Sequence, residues 1–354
     1  MKKVTRIFGM FCMIGLLAFT TSCKKNQETN SSVRLGIPQL SEGFGADRAY
    51  IDELWEFMWH GGDQIMVYNL AADATQSVMS VFHNTNPVGV ETKWATFQGE
   101  DVGAPKEYQY RYFYPIGMVS QNPAELRDEN RQTFTVSPDQ NYYLFDECEP
   151  LCRVDPEAMP MAINTDDLHK DAVLEHMFGV AHFMVQAQRR NYITIESVTL
   201  HDNFWNLTGE LSVKLHEVDT TELNQLWREY AGDITADPFA SHFMNYAVLT
   251  MGYDPNPTGK EITLHMMHPD ENNPLETVGV EVGTGNAWTE FNFILRPLAL
   301  SEGFTITLRG TAGQEATPYE KTFDRWAAPN LAMAIKPSVK HNFNFPVLTE
   351  AMLR

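Results

Sequence analysis

Apolar and polar residues alternate in short segments along most of this chain. The first clear case is Val33, Leu35 and Ile37, which are separated by Arg34 and Gly36. A period of two places alternate side chains on one face of a β-strand. The same pattern recurs in residues 209–218, 261–268, 303–310 and 341–347. Strands that recur at this spacing, with turn residues between them, predict an all-β protein built of antiparallel β-sandwiches.

Three segments depart from this simple alternation. Residues 174–188 are apolar at consecutive positions, which predicts a central strand that is buried on both faces. Residues 192–200 change phase near Glu196 or Ser197, and a β-bulge there accounts for the shift. Residues 219–232 carry apolar side chains at helical spacing, so we expect one short helix there, at a domain boundary.

A row of tyrosines marks another predicted strand. Alternation places four of them on one face: Tyr108, Tyr110, Tyr112 and Tyr114. The preferred interpretation is a sandwich strand with one buried face. The alternative is an aromatic platform on which sugars stack, to which the pair Trp55 and Trp59 would also contribute.

The N-terminus has the pattern of an export signal. Lys2, Lys3 and Arg6 form a positive start, and the apolar run that follows is too short to remain as a membrane span. Small residues then precede Cys23, which predicts a lipoprotein signal peptide in residues 1–22 and lipidation of Cys23. The alternative is an ordinary secretory signal with an incidental cysteine. Either form takes the protein out of the cytoplasm, and a lipid on Cys23 would anchor it to a membrane.

Composition narrows the class of protein further. Hydrophobic residues make up 43% of the chain and aromatic residues 12%, which is typical of a globular protein. The formal net charge of −20 argues against nucleic acid and anionic membrane surfaces as partners. The length allows two domains, each with a core of its own. We expect a tether and first strand in residues 23–48, an N-terminal sandwich domain in 49–218 and a C-terminal sandwich domain in 219–354.

Residues with recognisable site chemistry are sparse. Cys148 and Cys152 lie close together in an acidic run, where export makes a disulfide one interpretation. Two thiols without an adjacent histidine do not supply four metal ligands, and the acidic run matches no calcium-loop spacing. The 11 histidines are scattered, and no nucleophile, phosphate-loop or dinucleotide motif occurs. We therefore expect no catalytic residue, no bound metal and no cofactor, and we predict that the protein is not an enzyme.

Several segments together resemble the fimbrillin-like proteins, the FimA and Mfa type of fimbrial subunit. These segments are the lipoprotein signal, residues 49–70, the strand ATFQGE, the segment RYFYP, and residues 155–163 and 174–200. Their order and spacing carry the resemblance over most of residues 49–215. The strand-rich second half resembles the family more loosely.

The resemblance implies two transthyretin-like β-sandwich domains in a structural or adhesive subunit of fimbriae at the outer membrane and cell surface. Such subunits are exported as lipoproteins and cleaved after an arginine, and a strand from a neighbouring subunit then replaces their N-terminal strand. Carried onto this chain, Cys23 is the lipid site and residues 33–37 are the displaced strand. Arg48 is the first candidate for the cleavage point and Arg34 the second. The implied partners are other fimbrial subunits and a surface receptor or glycan.

The C-terminal segment and the function each allow alternatives. Residues 343–354 are the candidate for a donated strand near the C-terminus, although they form no clear long strand. The alternative function is a surface glycan-binding lipoprotein that uses aromatic platforms in nutrient uptake. An exported hydrolase on a β-sandwich is a third hypothesis, which the absence of a recognisable acid–base pair makes the weakest.

Overall fold

The structure is a computed structural model, and it consists mainly of β-strands. It describes residues 30–37, 41–42, 58–69, 78–103, 110–119, 131–143, 155–165, 167–203, 206–214, 248–250, 259–267, 279–285, 287–296, 298–300, 303–325, 334–335 and 339–354. The prediction of an all-β protein is confirmed. The predicted helix at 219–232 lies outside the described residues.

Thirteen strands and a short 3-10 helix, Pro156–Ala158, form the first half of the described chain. The strands are β1 (Asn30–Gly36), β2 (Ser41–Glu42), β3 (Trp59–His60), β4 (Gln64–Asn69), β5 (Val78–Asn84), β6 (Glu91–Thr92), β7 (Trp94–Glu100), β8 (Tyr110–Tyr114), β9 (Arg131–Val136), β10 (Asp139–Tyr143), β11 (Met161–Thr165), β12 (Ala172–Val173) and β13 (Glu175–His176).

The second half of the described chain continues in the same way and ends in a one-turn helix. Its elements are β14 (Gly179–Val185), β15 (Ile193–Asp202), β16 (Gly209–Lys214), β17 (Val248–Thr250), β18 (Glu261–Met267), β19 (Val280–Glu281), β20 (Thr289–Leu295), β21 (Leu298–Ala299), β22 (Phe304–Ala312), β23 (Thr317–Arg325), β24 (Ala334–Ile335), β25 (Val339–Asn344) and α1 (Glu350–Leu353).

An eight-stranded sheet, in the order β12-β1-β7-β5-β4-β8-β11-β13, organises the first half. A three-stranded sheet, β17-β16-β9, contributes Phe134 to the same hydrophobic core. The ring of Phe134 packs edge to face against Phe113 of β8, with the ring centroids 6.1 Å apart. All five residues of β8 are therefore buried, including Arg111, whereas the tyrosine row predicted only one buried face.

Two further sheets enclose a second core. One has the order β10-β18-β15-β22-β23, with β19 also paired to β15, and the other has the order β2-β25-β14-β20. Phe183 of β14 packs against Phe304 of β22 with centroids 6.1 Å apart, and Phe304 also contacts Phe343 of β25 at 5.7 Å. These contacts join the inner faces of the two sheets, so this core has the layered arrangement of a β-sandwich.

Two local predictions are confirmed by this second core. Strand β14 is buried at six of its seven positions and lies between β20 and β25, as expected for an uninterrupted apolar run. The register of β15 against β22 shifts between Ile195 and Ser197, which is the predicted β-bulge. Both strands lie before residue 218, where we expected the first domain to end, yet they pair with strands that follow residue 260.

Candidate functional site: the β1 groove

Strand β1 is the most N-terminal described element, and it lies inside the eight-stranded sheet. It pairs antiparallel with β7 over seven residue pairs, from Asn30 opposite Glu100 to Gly36 opposite Trp94. On its other side it pairs in parallel with β12, where Leu35 faces Ala172. The space that β1 fills between β7 and β12 is called the β1 groove below.

The inner face of β1 contributes to the first core. Val33 is 2% exposed and Leu35 is fully buried, as their alternation predicts. The indole Nε1 of Trp59 donates a hydrogen bond of 3.0 Å to the carbonyl oxygen of Leu35. Trp59 is itself fully buried and packs edge to face on Phe97 and Tyr114, with centroids 4.9 and 5.1 Å away. The groove therefore combines an apolar floor with a directed hydrogen-bond donor.

A tight turn positions Trp59 in the floor of the groove. Trp59 belongs to the short strand β3, and a turn through Gly61 and Gly62 leads from it into β4. The carboxylate of Asp63 accepts from the backbone N–H of His60 at 2.7 Å, and the Asn84 side chain donates to the carbonyl oxygen of His60 at 2.7 Å. Both ends of the turn are thereby fixed.

Polar groups near this turn have shifted pKa values. Burial raises the pKa of Asp63, against the opposing effect of its hydrogen bond from His60. Burial likewise raises the pKa of the Tyr114 hydroxyl, which lies 3.4 Å from Asp63. The pKa of Asp155 and that of Glu157 are also raised, mainly by burial. In each of these groups burial favours the neutral form over the charged form.

The outer face of β1 carries a cation between its two neighbouring strands. The Nη1 atom of Arg34 lies 2.5 Å from the Oδ2 atom of Asp171, the residue before β12. The same guanidinium lies over the ring of Trp94 in β7, 4.9 Å from the ring centroid. About half of each charged side chain is exposed, so the ion pair adds little stability. It does link β1 to both neighbouring strands.

Strand β2 follows β1 and joins one of the two sheets that enclose the second core. Ser41 and Glu42 pair in parallel with Val339 and Lys340 of β25, at the edge of the four-stranded sheet. Residues 30–42 thus place one strand in each of two sheets. Both strands precede Arg48 in the chain.

The predicted processing sites fall mostly outside the described residues. Cys23, Arg48, Cys148 and Cys152 all lie there. Arg34, the second candidate for cleavage, lies in the middle of β1, opposite Thr96 of β7. A protease needs access to an extended, unpaired backbone, so a cut at Arg34 requires β1 to leave the sheet first.

Residues 343–354, the candidate for a donated strand, pack into the second core of the same chain. Phe343 and Phe345 are 7% and 6% exposed, and Leu348 is fully buried. Leu353, in the helix that ends the chain, is 3% exposed. Strand β25 pairs in parallel with β14, so residues 343–354 cannot be donated without opening that core.

The aromatic platforms proposed for sugars are wrong where the structure describes them. Tyr110, Tyr112 and Tyr114 are at most 4% exposed, and Trp59 is fully buried. Their ring faces pack in the core and offer no surface for stacking. Tyr108 and Trp55 lie outside the described residues.

The described residues contain neither a metal-binding cluster nor a membrane-spanning helix. No group of three or more histidine, cysteine, aspartate or glutamate side chains there is arranged to hold a metal ion. No helix within the same residues has the length and apolar character needed to cross a membrane.

Sequence reasoning missed three residues of the β1 groove: Trp59 as a donor, Trp94 and Asp171. The sequence suggested Trp59 only as part of an aromatic platform, and it gave no role to Trp94 or Asp171. All three act on β1 across a large separation in sequence. The pattern of a single strand carries no signal for such partners.

Comparison with known proteins gives matches among solved structures alone. No protein-family model matches the chain, and no curated protein matches it. The chain is similar to a candidate cell adhesion protein from Bacteroides ovatus at 13% identity, with a TM-score of 0.42, over 90% of this chain and 93% of that one. A candidate cell adhesion protein from Bacteroides uniformis matches at 13% identity, with a TM-score of 0.37, over 93% of this chain and 96% of that one.

The chain is also similar to the tip fimbrial protein Mfa3 from Porphyromonas gingivalis. That match has 7% identity and a TM-score of 0.33, and covers 90% of this chain and 96% of the other. Cell adhesion and fimbrial proteins are the class that the sequence resemblance indicates. Because the identities and TM-scores are low, the function proposed below rests on the strand geometry and the sequence resemblance.

Proposed function

We propose that this protein is a subunit of cell-surface fimbriae that polymerises by strand exchange at the β1 groove. The observation that carries the proposal is the place of β1. It is the first described strand, yet it fills an interior position of a sheet and supplies Val33 and Leu35 to the core. An N-terminal strand in this position can be cut from the chain without interrupting any later element.

Removal of β1 would leave a defined vacancy. Burial of a side chain such as Val33 or Leu35 contributes about 1.5–3 kcal/mol, and the groove would expose the surfaces against which both pack. The Trp59 indole would lose its acceptor, and backbone groups of β7 and β12 would lose their partners. A strand from a neighbouring subunit that enters the groove would restore all of these interactions by β-augmentation.

Cleavage after Arg48 suits this mechanism better than cleavage after Arg34. A cut at Arg48 frees β1 and β2 together, since both precede it in the chain. A cut at Arg34 would leave Leu35 and Gly36 attached to the subunit. The buried part of the groove would then stay blocked by the protein's own chain.

The proposal includes export and anchoring. Cys23 is the lipid-bearing residue, and the polar residues after it form the tether to β1. Acylation at Cys23 would hold the uncut precursor at the outer membrane, and cleavage after Arg48 would release the subunit from its lipid.

We also propose two sandwich domains that divide near residue 178 instead of residue 218. The first hydrophobic cluster draws mainly on residues up to Val180, and the second on Ala181 and later residues together with Tyr142. Gln140 of β10 both donates to and accepts from the backbone of Ile294 in β20, at 2.7 and 2.9 Å, so its side chain links the two sheets that enclose the second core.

A processing experiment tests the proposed function. The wild-type protein is expressed with its signal, treated with a trypsin-like protease, and analysed by N-terminal sequencing and on unheated denaturing gels. We expect a new N-terminus at Ala49, loss of acyl label carried by Cys23, and polymer ladders. Arg48→Gln should keep the label and remain monomeric, while the matched control Arg34→Gln should polymerise as wild type does.

The outcomes separate the parts of the proposal. Ladders formed by Arg48→Gln would show that another bond is cut. Complete cleavage at Arg48 without any ladder, even after long incubation at high protein concentration, would overturn strand exchange.

A further inference from the structure

The outer face of β1 contains a contact that only glycine can make. Gly36 lies opposite Trp94 of β7, and the indole ring covers it. A Cβ atom at position 36 would lie 2.9 Å from two atoms of that ring, closer than such atoms approach one another in proteins. Cross-strand aromatic cover of a strand glycine is a known way of fixing register. A side chain at this position therefore requires Trp94 to move.

The groove also favours a positive charge at position 34, two residues before Gly36. The Arg34 guanidinium lies between Asp171, beside β12, and the ring of Trp94. An acidic side chain at this position would face the Asp171 carboxylate and the negative face of the indole ring. Exposure of both charged groups makes the preference modest in energy but definite in sign.

The inner face requires apolar side chains at two fixed positions. Val33 and Leu35 pack onto the apolar floor of the groove, and the Leu35 carbonyl oxygen accepts the hydrogen bond from Trp59. A slip of one residue would turn the inward side chains outward. A slip of two residues keeps the faces but brings Arg34 or Pro38 under Trp94, where a Cβ atom has no room.

We propose that the β1 groove selects its incoming strand by a register lock formed by Trp94 and Asp171. The strand that fits carries apolar residues at the positions of Val33 and Leu35, a cation at that of Arg34 and a glycine at that of Gly36. The partner is a neighbouring subunit that presents an extended segment of this pattern. This inference rests on the proposed strand exchange and adds a rule for which strand is accepted.

A peptide-exchange assay on the whole chain tests the lock. The protein is cut after Arg48, so that residues up to 48 stay bound without a covalent link. Fluorescent peptides of residues 30–40 are then added, and their incorporation is followed by anisotropy. We expect the wild-type peptide to enter, and the Gly36→Ala peptide to bind about tenfold more weakly or worse, because a close contact becomes overpacked.

The charge position is tested in the same assay. The Arg34→Glu peptide should bind about two- to fivefold more weakly than the wild-type peptide, as expected for an exposed pair. A peptide of residues 339–347, which has no glycine, should not compete.

Variants of the protein supply reciprocal controls. Trp94→Ala removes the ring, so this variant should bind the Gly36→Ala peptide and the wild-type peptide with equal affinity. Asp171→Lys should bind the Arg34→Glu peptide better than the wild-type peptide. Binding of the wild-type peptide to Trp94→Ala also shows that this variant is folded.

The possible results distinguish the lock from the exchange itself. If no peptide enters the cut protein, the proposed function fails. If wild-type, Gly36→Ala and Arg34→Glu peptides enter equally well, strand exchange stands and the register lock is overturned. If the Gly36→Ala peptide binds weakly to both wild type and Trp94→Ala, its defect does not come from Trp94 and the lock is again refuted.

Discussion

Truncation of Leu35 provides the most direct test of whether β1 is part of the core. Leu35 is fully buried, whereas the side chain of the adjacent residue, Arg34, is 53% exposed. Leu35→Ala removes buried carbon atoms and leaves a cavity in the first core, which typically costs about 2–5 kcal/mol in the free energy of unfolding. Arg34→Ala removes an exposed ion pair, for which the expected cost is about 0.2–1 kcal/mol.

Urea unfolding followed by tryptophan fluorescence measures both changes. With a slope of about 2 kcal/mol per molar urea, Leu35→Ala should lower the unfolding midpoint by roughly 1–2.5 M, and Arg34→Ala by roughly 0.5 M or less. Native-state hydrogen exchange supplies a second measurement, since amides of β1 should lose protection in Leu35→Ala. Equal midpoint shifts for the two variants would show that β1 lies on the surface. Cleavage would then open no groove.

Three further predictions concern parts of the protein outside the groove. Burial lowers the pKa of His182 to about 3. The stabilising contribution of the neutral imidazole is therefore complete above its ordinary pKa of 6.5 and is lost as pH falls from there toward 3. His182→Gln should reduce the slope of the unfolding free energy against pH in that window by up to about 1.4 kcal/mol per pH unit. Gly310→Ala would place a Cβ atom 1.9 Å from the carbonyl oxygen of Thr194, and should lower thermal stability far more than the exposed Ala316→Ser. Arg111→Met should raise the urea midpoint, because the buried Nη1 of Arg111 has no hydrogen-bond partner among the residues that the structure describes, and removal of such a donor relieves about 1–3 kcal/mol. An unchanged or lower midpoint would contradict that account.

Local features of the fold could be predicted from the sequence because they depend on the periodicity of one strand. The alternation of Val33 and Leu35 predicted which side chains face the core, and both are buried. The phase change near Glu196 predicted the bulge, which lies between Ile195 and Ser197. A bulge reverses the faces of a strand, so it leaves a mark in the sequence of that strand alone.

Pairing between distant strands could not be predicted in the same way. Strand β10 pairs in parallel with β18, although more than a hundred residues separate them. Strand β8 was expected to have one solvated face, but the partner that covers its second face includes Phe134 of another sheet. Periodicity tells which side chains share a face of a strand, and it carries no information on how many layers cover the sheet.

In the candidate site, too, features of one strand could be predicted and contacts between distant residues could not. The first strand and its two inward residues were found from alternation. The Trp59 hydrogen bond, the cover of Trp94 over Gly36 and the Asp171 ion pair all join β1 to residues at least 24 positions away. A glycine within an alternating strand is the single mark that the sequence leaves of such a close approach.

The two ends of β1 are held unequally, and this asymmetry bears on the order of strand exchange. In the described residues, the end at Asn30 pairs with β7 alone, whereas Leu35 and Gly36 pair with both β7 and β12. The second end also holds the Trp59 hydrogen bond and the cover of Trp94. A cut strand should therefore fray from Asn30 toward Gly36, because backbone pairing on one side opens more readily than pairing on both. The contacts that set register are then the last to be released, so an incoming strand is tested for its glycine only after most of its length has paired with β7.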